Sequence, residues 1–368
     1  MPVTLAVPVF LAGVVVSLTT SYLLVTRLER IGERLGLSEA LLGVVAALAA
    51  DAPEITSAVT ALTSHQQKVG AGVIIGSNVF NLAALLGLGA VAAGSIALHR
   101  KVVLLGGVVG IWIAAMCLVT VMGLIPPVAG LILVLAALVP YIVVLGAGRA
   151  RLGRLPIVRH WGNQRWESWL AVAISEEEQE LNEAIRPVMG RRPDVVIAAA
   201  ALVVVVAASV AMERAASGIG THYGVPEIVT GGVVLAAVTS LPNAVSAVYL
   251  ATRGRGAAML STTLNSNALN VTAGLLLPAA ITGLGAASPQ TTLIAVWNVG
   301  LTAAALSFAY RDSGVRRASG ALIIGAYLVF LGSLLTTAHS AAPPATLTVV
   351  PGLIVAAGCA AGLLRRPS

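Results

Sequence analysis

The sequence predicts an all-α polytopic membrane protein of two inverted five-helix repeats, with about 10–11 transmembrane helices. Three observations predict it: an apolar composition, a series of helix-length apolar windows, and a polar pattern that recurs after 189 residues. Of 368 residues, 58% are hydrophobic and only 10% charged, and mean hydropathy is +0.94. Soluble globular domains carry roughly a quarter charged residues, which argues against a large soluble enzyme. The chain is also too apolar for disorder, and its 38 glycines follow no collagen-like period. Cys117 and Cys359 sit inside apolar runs and read as packing residues, not as a disulfide or metal framework.

A bilayer core needs about 20 apolar helical residues. Windows of that kind lie near 3–25, 38–63, 70–94, 102–122, 126–146, 194–218, 225–252, 257–283, 290–309, 318–338 and 345–364. The first lacks a basic flank before its apolar run, which is too long for a signal-peptide core, so it reads as a span. The chain divides into a first repeat (1–147), a linker (148–193), a second repeat (194–340) and an extra helix (341–368). If the linker is cytoplasmic, alternation puts twenty of the 22 Lys and Arg residues inside, leaving only Lys68 and Arg214 outside. The expected orientation is amino terminus outside and carboxyl terminus inside, in a prokaryotic cell membrane. The net charge of +7 is thus a topology signal with some attraction to anionic lipid, and no nucleic-acid partner is expected. Within the linker, Trp161–Ile174 suits an interfacial helix. The acidic run Glu176–Glu180 reads as a solvated face or a regulatory cation site.

A shift of 189 residues lays Gly43–Glu54 over Gly232–Asn243 and Gly76–Asn81 over Asn265–Asn270. Apolar matches mean little, but Pro53/Pro242, Ser77/Ser266, Asn78/Asn267 and Asn81/Asn270 are hard to obtain from composition alone. Span 38–63 runs inside to outside and span 225–252 the reverse, so the repeats are inverted. Inverted repeats place a site near the midplane where they meet. The mid-span prolines each free a backbone carbonyl beside polar side chains able to line a cavity.

Of 15 acidic residues, only Asp51 and Glu54 fall mid-span. Spaced i, i+3 on one helix, they share a face, with Cβ atoms about 5–6 Å apart. An intramembrane charge costs at least ~2.5 kcal/mol on insertion scales, which makes these acids functional candidates. Without a mid-membrane Lys or Arg, they either compete for a proton or hold a cation. The repeats add neutral oxygens at Ser77, Asn81, Thr239, Ser240, Asn243, Ser266 and Asn270, a donor set suited to hard cations such as Ca²⁺. No mid-span His or Cys invites softer metals. Singly, each Ser or Thr is as readily explained by bonding back to its own helix, and Asn78 and Asn267 by helix–helix adhesion.

These segments resemble the α-repeats of the cation/calcium exchanger superfamily, which includes sodium/calcium and cation/proton antiporters. The resemblance rests on Ala52-Pro53-Glu54 with Gly76-Ser77-Asn78-Val79-Phe80-Asn81, and on Thr239-Ser240-Leu241-Pro242 with Ser266-Asn267 and Asn270. It implies a ten-span layout, to which 345–364 is an addition, and makes Glu54 the central cation ligand of the first repeat. It also implies motif oxygens at Thr239, Ser240, Ser77, Asn81 and Ser266. The chain departs from the family pattern at Asn243 and Asn270, where acids are expected, and at Ala50-Asp51, where a Thr-Ser pair is expected. Both charges therefore lie on one repeat.

The expected function is antiport of Ca²⁺ against Na⁺ or H⁺, with no permanently bound cofactor and with inorganic cations and the bilayer as partners. Alternatives are proton-coupled exchange of Mg²⁺ or a monovalent ion, and a channel or sensor on the same scaffold. An intramembrane aspartyl protease is disfavoured, because its acids face each other from separate segments. No enzymatic activity is expected.

Overall fold

The computed structural model describes residues 2–37, 39–151, 169–173, 175, 191–254 and 256–338. Most of the expected interfacial helix Trp161–Ile174, the acidic run, Cys359 and the span 345–364 lie outside these residues.

The first repeat comprises α1 (Val3–Arg34), α2 (Glu39–Ala50), α3 (Ala52–Thr63), α4 (Gln67–Ala93), α5 (Arg100–Val121) and α6 (Pro127–Arg151). The second comprises α7 (Arg192–His222), α8 (Glu227–Thr239), α9 (Leu241–Thr252), α10 (256–282), α11 (Pro289–Arg311) and α12 (Arg317–Thr337). The starts of α1, α4 and α5 recur 189 residues later at α7, α10 and α11, so the offset read from side chains also governs the backbone. Among the described residues, seven helices are individually long and apolar enough to cross a bilayer, and the bent pairs α2–α3 and α8–α9 supply two more. Helix α10 fills the remaining place; its run of Ser, Thr and Asn between Ser261 and Thr272 lowers its hydropathy.

Helix α4 is central, with 94% of its apolar window buried against 17% for α1. It contains a π-helical stretch, Leu82–Leu88, and α10 contains another at the matching place, Asn270–Leu276. π-Helical turns inside α-helices often mark functional sites, and each of these begins at a site asparagine or just after it. Helices α1 and α7 pack against each other on the outside of the bundle. Ser17 and Ser209 meet between them at 3.1 Å, and Arg27 pairs with Asp194 at 2.6 Å.

Loops gather at two ends. At the end where the linker joins, β1 (Ser95–Ala97) pairs antiparallel with β2 (Gly314–Arg316), and Arg100 lies over the Tyr310 ring at 5.5 Å. The basic groups Arg27, Arg100, Arg311, Arg316 and Arg317 belong to this linker face. At the far face, Gln67 and Lys68 share a cavity of about 200 Å³ with the 284–288 loop.

Candidate cation site at two helix breaks

Each repeat crosses the domain with one broken helix. Helices α2 and α3 meet at 54°, with Asp51 at the junction, and α8 and α9 meet at 44°, with Ser240 at the junction. The span expected over 38–63, with both acids on one helix face, is broken between them: Asp51 sits in the bend and Glu54 in the first turn beyond it. Pro53 and Pro242 in the following turns explain the breaks, since each lacks the N–H that would continue the ladder. The carbonyl that Pro53 leaves free is that of Ala49, which accepts from the Ser21 hydroxyl of α1 at 3.2 Å. A neighbouring helix thus satisfies a group that lipid cannot. Otherwise the two junctions match bond for bond: Asp51 N–H to Ala47 O and Ile55 N–H to Asp51 O recur as Ser240 to Ala236 and Ala244 to Ser240.

The junctions are brought together by close backbone contact. A Cβ on Gly76 of α4 would collide with the carbonyl oxygen of Gly232 in α8, and one on Gly72 would stand 2.8 Å from the Gly232 nitrogen. Only glycine permits this approach, which sets α4 directly on the opposite repeat.

Asp51 and Glu54 are fully buried. The Asp51 Oδ1 accepts from Asn243 Nδ2 at 2.8 Å and from the Ser266 hydroxyl at 2.7 Å, and Glu54 Oε1 accepts from the Ser240 hydroxyl at 2.9 Å. Every one of these donors belongs to the second repeat. Asn81 Nδ2 extends the network, donating to Ser266 Oγ at 3.2 Å and to Asn267 Oδ1 at 3.1 Å. Asn270 Nδ2 donates to Asn78 Oδ1 at 3.2 Å. Asn78 and Asn267, equivalent residues of the two repeats, each donate to the other's backbone carbonyl, at 3.1 and 3.2 Å.

Two of the expected oxygens are engaged elsewhere. The Thr239 hydroxyl donates to Leu235 O of its own helix at 2.8 Å, and that of Ser77 reaches Ala236 O at a long 3.5 Å. Both remain buried, with their acceptor lone pairs still available. Ser57, one turn beyond Glu54, was not among the expected site residues. Its hydroxyl is buried without a partner, and the matched Ser57/Ser246 in the two repeats was the signal that could have found it.

Asp51 Oδ2, Glu54 Oε2, Asn81 Oδ1, Asn270 Oδ1 and Ser57 Oγ are all buried with no hydrogen-bond partner. Buried polar atoms are nearly always paired, so five orphaned oxygens, two of them on the carboxylates themselves, suit a cation or protons better than a closed structural core. No Lys or Arg pairs with either acid among the described residues.

A family model described as sodium/calcium exchanger protein matches residues 5–147 and 194–336. The "Putative antiporter CaxA" of Alkalimonas amylolytica is 33% identical over 82 residues, covering 22% of this chain and 26% of that protein. The chain thus matches about a quarter of that curated relative's length. The crystal structure of the H⁺/Ca²⁺ exchanger CAX is similar with a TM-score of 0.70 at 13% identity, covering 96% of this chain and 87% of that one. The sodium-calcium exchanger NCX_Mj, soaked with 2.5 mM Na⁺ and 10 mM Sr²⁺, is similar with a TM-score of 0.57 at 21% identity, covering 90% and 100%. At these identities the structural likeness is one of fold. The family model spans both repeats, and the chain belongs to the sodium/calcium exchanger protein family.

Proposed function

We propose that the protein is a secondary-active antiporter that exchanges Ca²⁺ for Na⁺ or H⁺ at the junction of its two broken helices. The observation that carries this reading is the buried acid pair: each carboxylate is held by donors from the opposite repeat on one oxygen and left unpartnered on the other. Two carboxylates match the charge of one divalent cation, and amide and hydroxyl oxygens complete a hard-cation shell. Asp51 Oδ2 and Glu54 Oε2 are the charged ligands, and Asn81, Asn270 and Ser57 offer neutral oxygens. Ser240, Asn243 and Ser266 hold the carboxylates from the second repeat, and Thr239 and Ser77 line the walls.

Antiport follows from electrostatics. An empty acid pair is costly to carry through a low-dielectric barrier. Calcium and the counter-ion neutralise the same carboxylates, so occupancy by one excludes the other and the repeats rock only when loaded. With both charges on one repeat, exchange moves at most two positive charges each way at this pair. The linker face, rich in Arg, is the cytoplasmic side in this reading.

Purified protein in lipid nanodiscs should bind ⁴⁵Ca²⁺ with one-to-one stoichiometry, and binding should be displaced by whichever of Na⁺ or H⁺ is the counter-ion. Displacement by Mg²⁺ at equal concentration, or no saturable binding, would remove calcium as the substrate.

A further inference from the structure

Glu213 is a further buried acid, and the midplane site does not use it. It lies toward the far-face end of α7, 1% exposed. Its Oε1 is 2.9 Å from the Ser217 hydroxyl one turn on, and the same hydroxyl is 2.9 Å from Gln66 Oε1. Gln66 stands at the turn between α3 and α4, the helices that carry Glu54, Ser77 and Asn81. Helix α3 ends there with His65 in the left-handed region (φ 60°), His65 N–H bonding to Leu62 O and Gln66 N–H to Ala61 O. This paired-bond helix ending fixes the Gln66 backbone.

The proton arithmetic of this trio admits two complete arrangements. A hydroxyl has one proton and cannot donate to both Glu213 and Gln66. With a proton on Glu213, the carboxyl O–H donates to Ser217 Oγ, and Ser217 donates to the Gln66 oxygen facing it. Without that proton, Ser217 donates to the carboxylate, and the Gln66 amide must turn so that its Nε2 donates to Ser217 Oγ. Either way both contacts of the Ser217 hydroxyl are hydrogen bonds, but the amide orientation differs.

We infer that Glu213 is a proton-binding site at the far face, distinct from the midplane acids and wired through Ser217 to the Gln66 amide at the turn joining α3 to α4. A proton taken from water at the far face sits on Glu213, and on release returns there while the Gln66 amide flips. The surrounding helices leave the site to the proton. Helix α1 meets α7 here at Gly13 and Met212, and residues 2–21 carry no ionisable side chain. Helix α3 contributes only Glu54, at its opposite end; the turn and the start of α4 contribute His65 and Lys68. Helix α8 contributes Glu227 at its start, and α7 itself Arg214 and His222. No ion pair joins any of these to Glu213 among the described residues. The inference does not depend on which cation the midplane site takes.

The test is infrared spectroscopy of the full chain in lipid nanodiscs, following the protonated-carboxyl stretch through a pH titration. A titrating band should be lost in Glu213→Gln and kept in the Asp51→Asn/Glu54→Gln double variant. Ser217→Ala should shift that band to higher frequency, because the carboxyl loses its acceptor; this variant serves if Glu213→Gln does not fold. In the Asp51→Asn/Glu54→Gln background, a titrating band that survives Glu213→Gln, or one insensitive to Ser217→Ala, overturns the inference.

Discussion

Asn243 donates to Asp51 at 2.8 Å, and the internal symmetry repeats that bond with roles exchanged, Ser240 donating to Glu54 at 2.9 Å. Position 243 is the counterpart of 54, and 240 the counterpart of 51. Each bond therefore joins the junction residue of one repeat to the residue after the motif proline of the other. The geometry is two-fold while the charge is not: both acids lie on the first repeat and both donors on the second. That asymmetry makes a compact pair in which donors and acceptors match without an arginine.

Asn243→Asp should turn this matched pair into a clash. The amide donor is lost and two carboxyl groups face each other at hydrogen-bond distance, where they share one proton. Exchange by the variant is expected to be suppressed tenfold or more below neutral pH, on the order of 1.4 kcal/mol or above, and to recover as pH rises and the shared proton leaves. Transport against pH, beside the unaltered protein, checks this; an unchanged profile would mean that Asn243 does not face Asp51 during exchange.

Gly76→Ala should separate the repeats. The added methyl meets the Gly232 carbonyl, backbone against backbone, so neither neighbour can rotate away. Overpacking of this kind costs about 1–3 kcal/mol. A lower melting temperature together with lost exchange is expected, whereas Gly218→Ala on α7, where a Cβ meets nothing within 4 Å, should leave both unchanged.

Ser21→Ala removes the hydroxyl that satisfies the Ala49 carbonyl at the Pro53 break. Hydrogen bonds between membrane helices are worth roughly 0.6 kcal/mol, rarely above about 1.7. A small loss of thermal stability is expected, and it should vanish in a Pro53→Ala background, where the backbone N–H returns to serve that carbonyl. A full loss in both backgrounds would assign Ser21 another role.

Much of this was legible because membrane helices are constrained. With few charges available, their positions report sidedness, and the alignment of Pro53 with Pro242 and Asn78 with Asn267 marks the two-fold relation in the sequence itself. Helical periodicity missed the bend at Asp51, because i, i+3 spacing assumes a continuous helix and the direction of a proline break depends on neighbours such as Ser21. Hydropathy located α10 as the window 257–283 even though its Ser, Thr and Asn residues form the polar face the site needs. Ser57 and Glu213 do not stand out as site residues in the sequence, for different reasons. The Ser57 hydroxyl matters only because nothing packs against it, and Glu213 lies toward a span end where acids are ordinarily solvated.

The central claim is that Asp51 and Glu54 together carry the transported cation. The most direct measurement is ⁴⁵Ca²⁺ uptake into proteoliposomes under an outward Na⁺ gradient and, separately, an outward proton gradient, with Glu54→Gln and Asp51→Asn beside the unaltered protein. Uptake that follows one gradient and falls about a hundredfold or more in each variant, about 2.7 kcal/mol or above, is the expected result. Undiminished uptake in either variant, or none under either gradient in the unaltered protein, would contradict it.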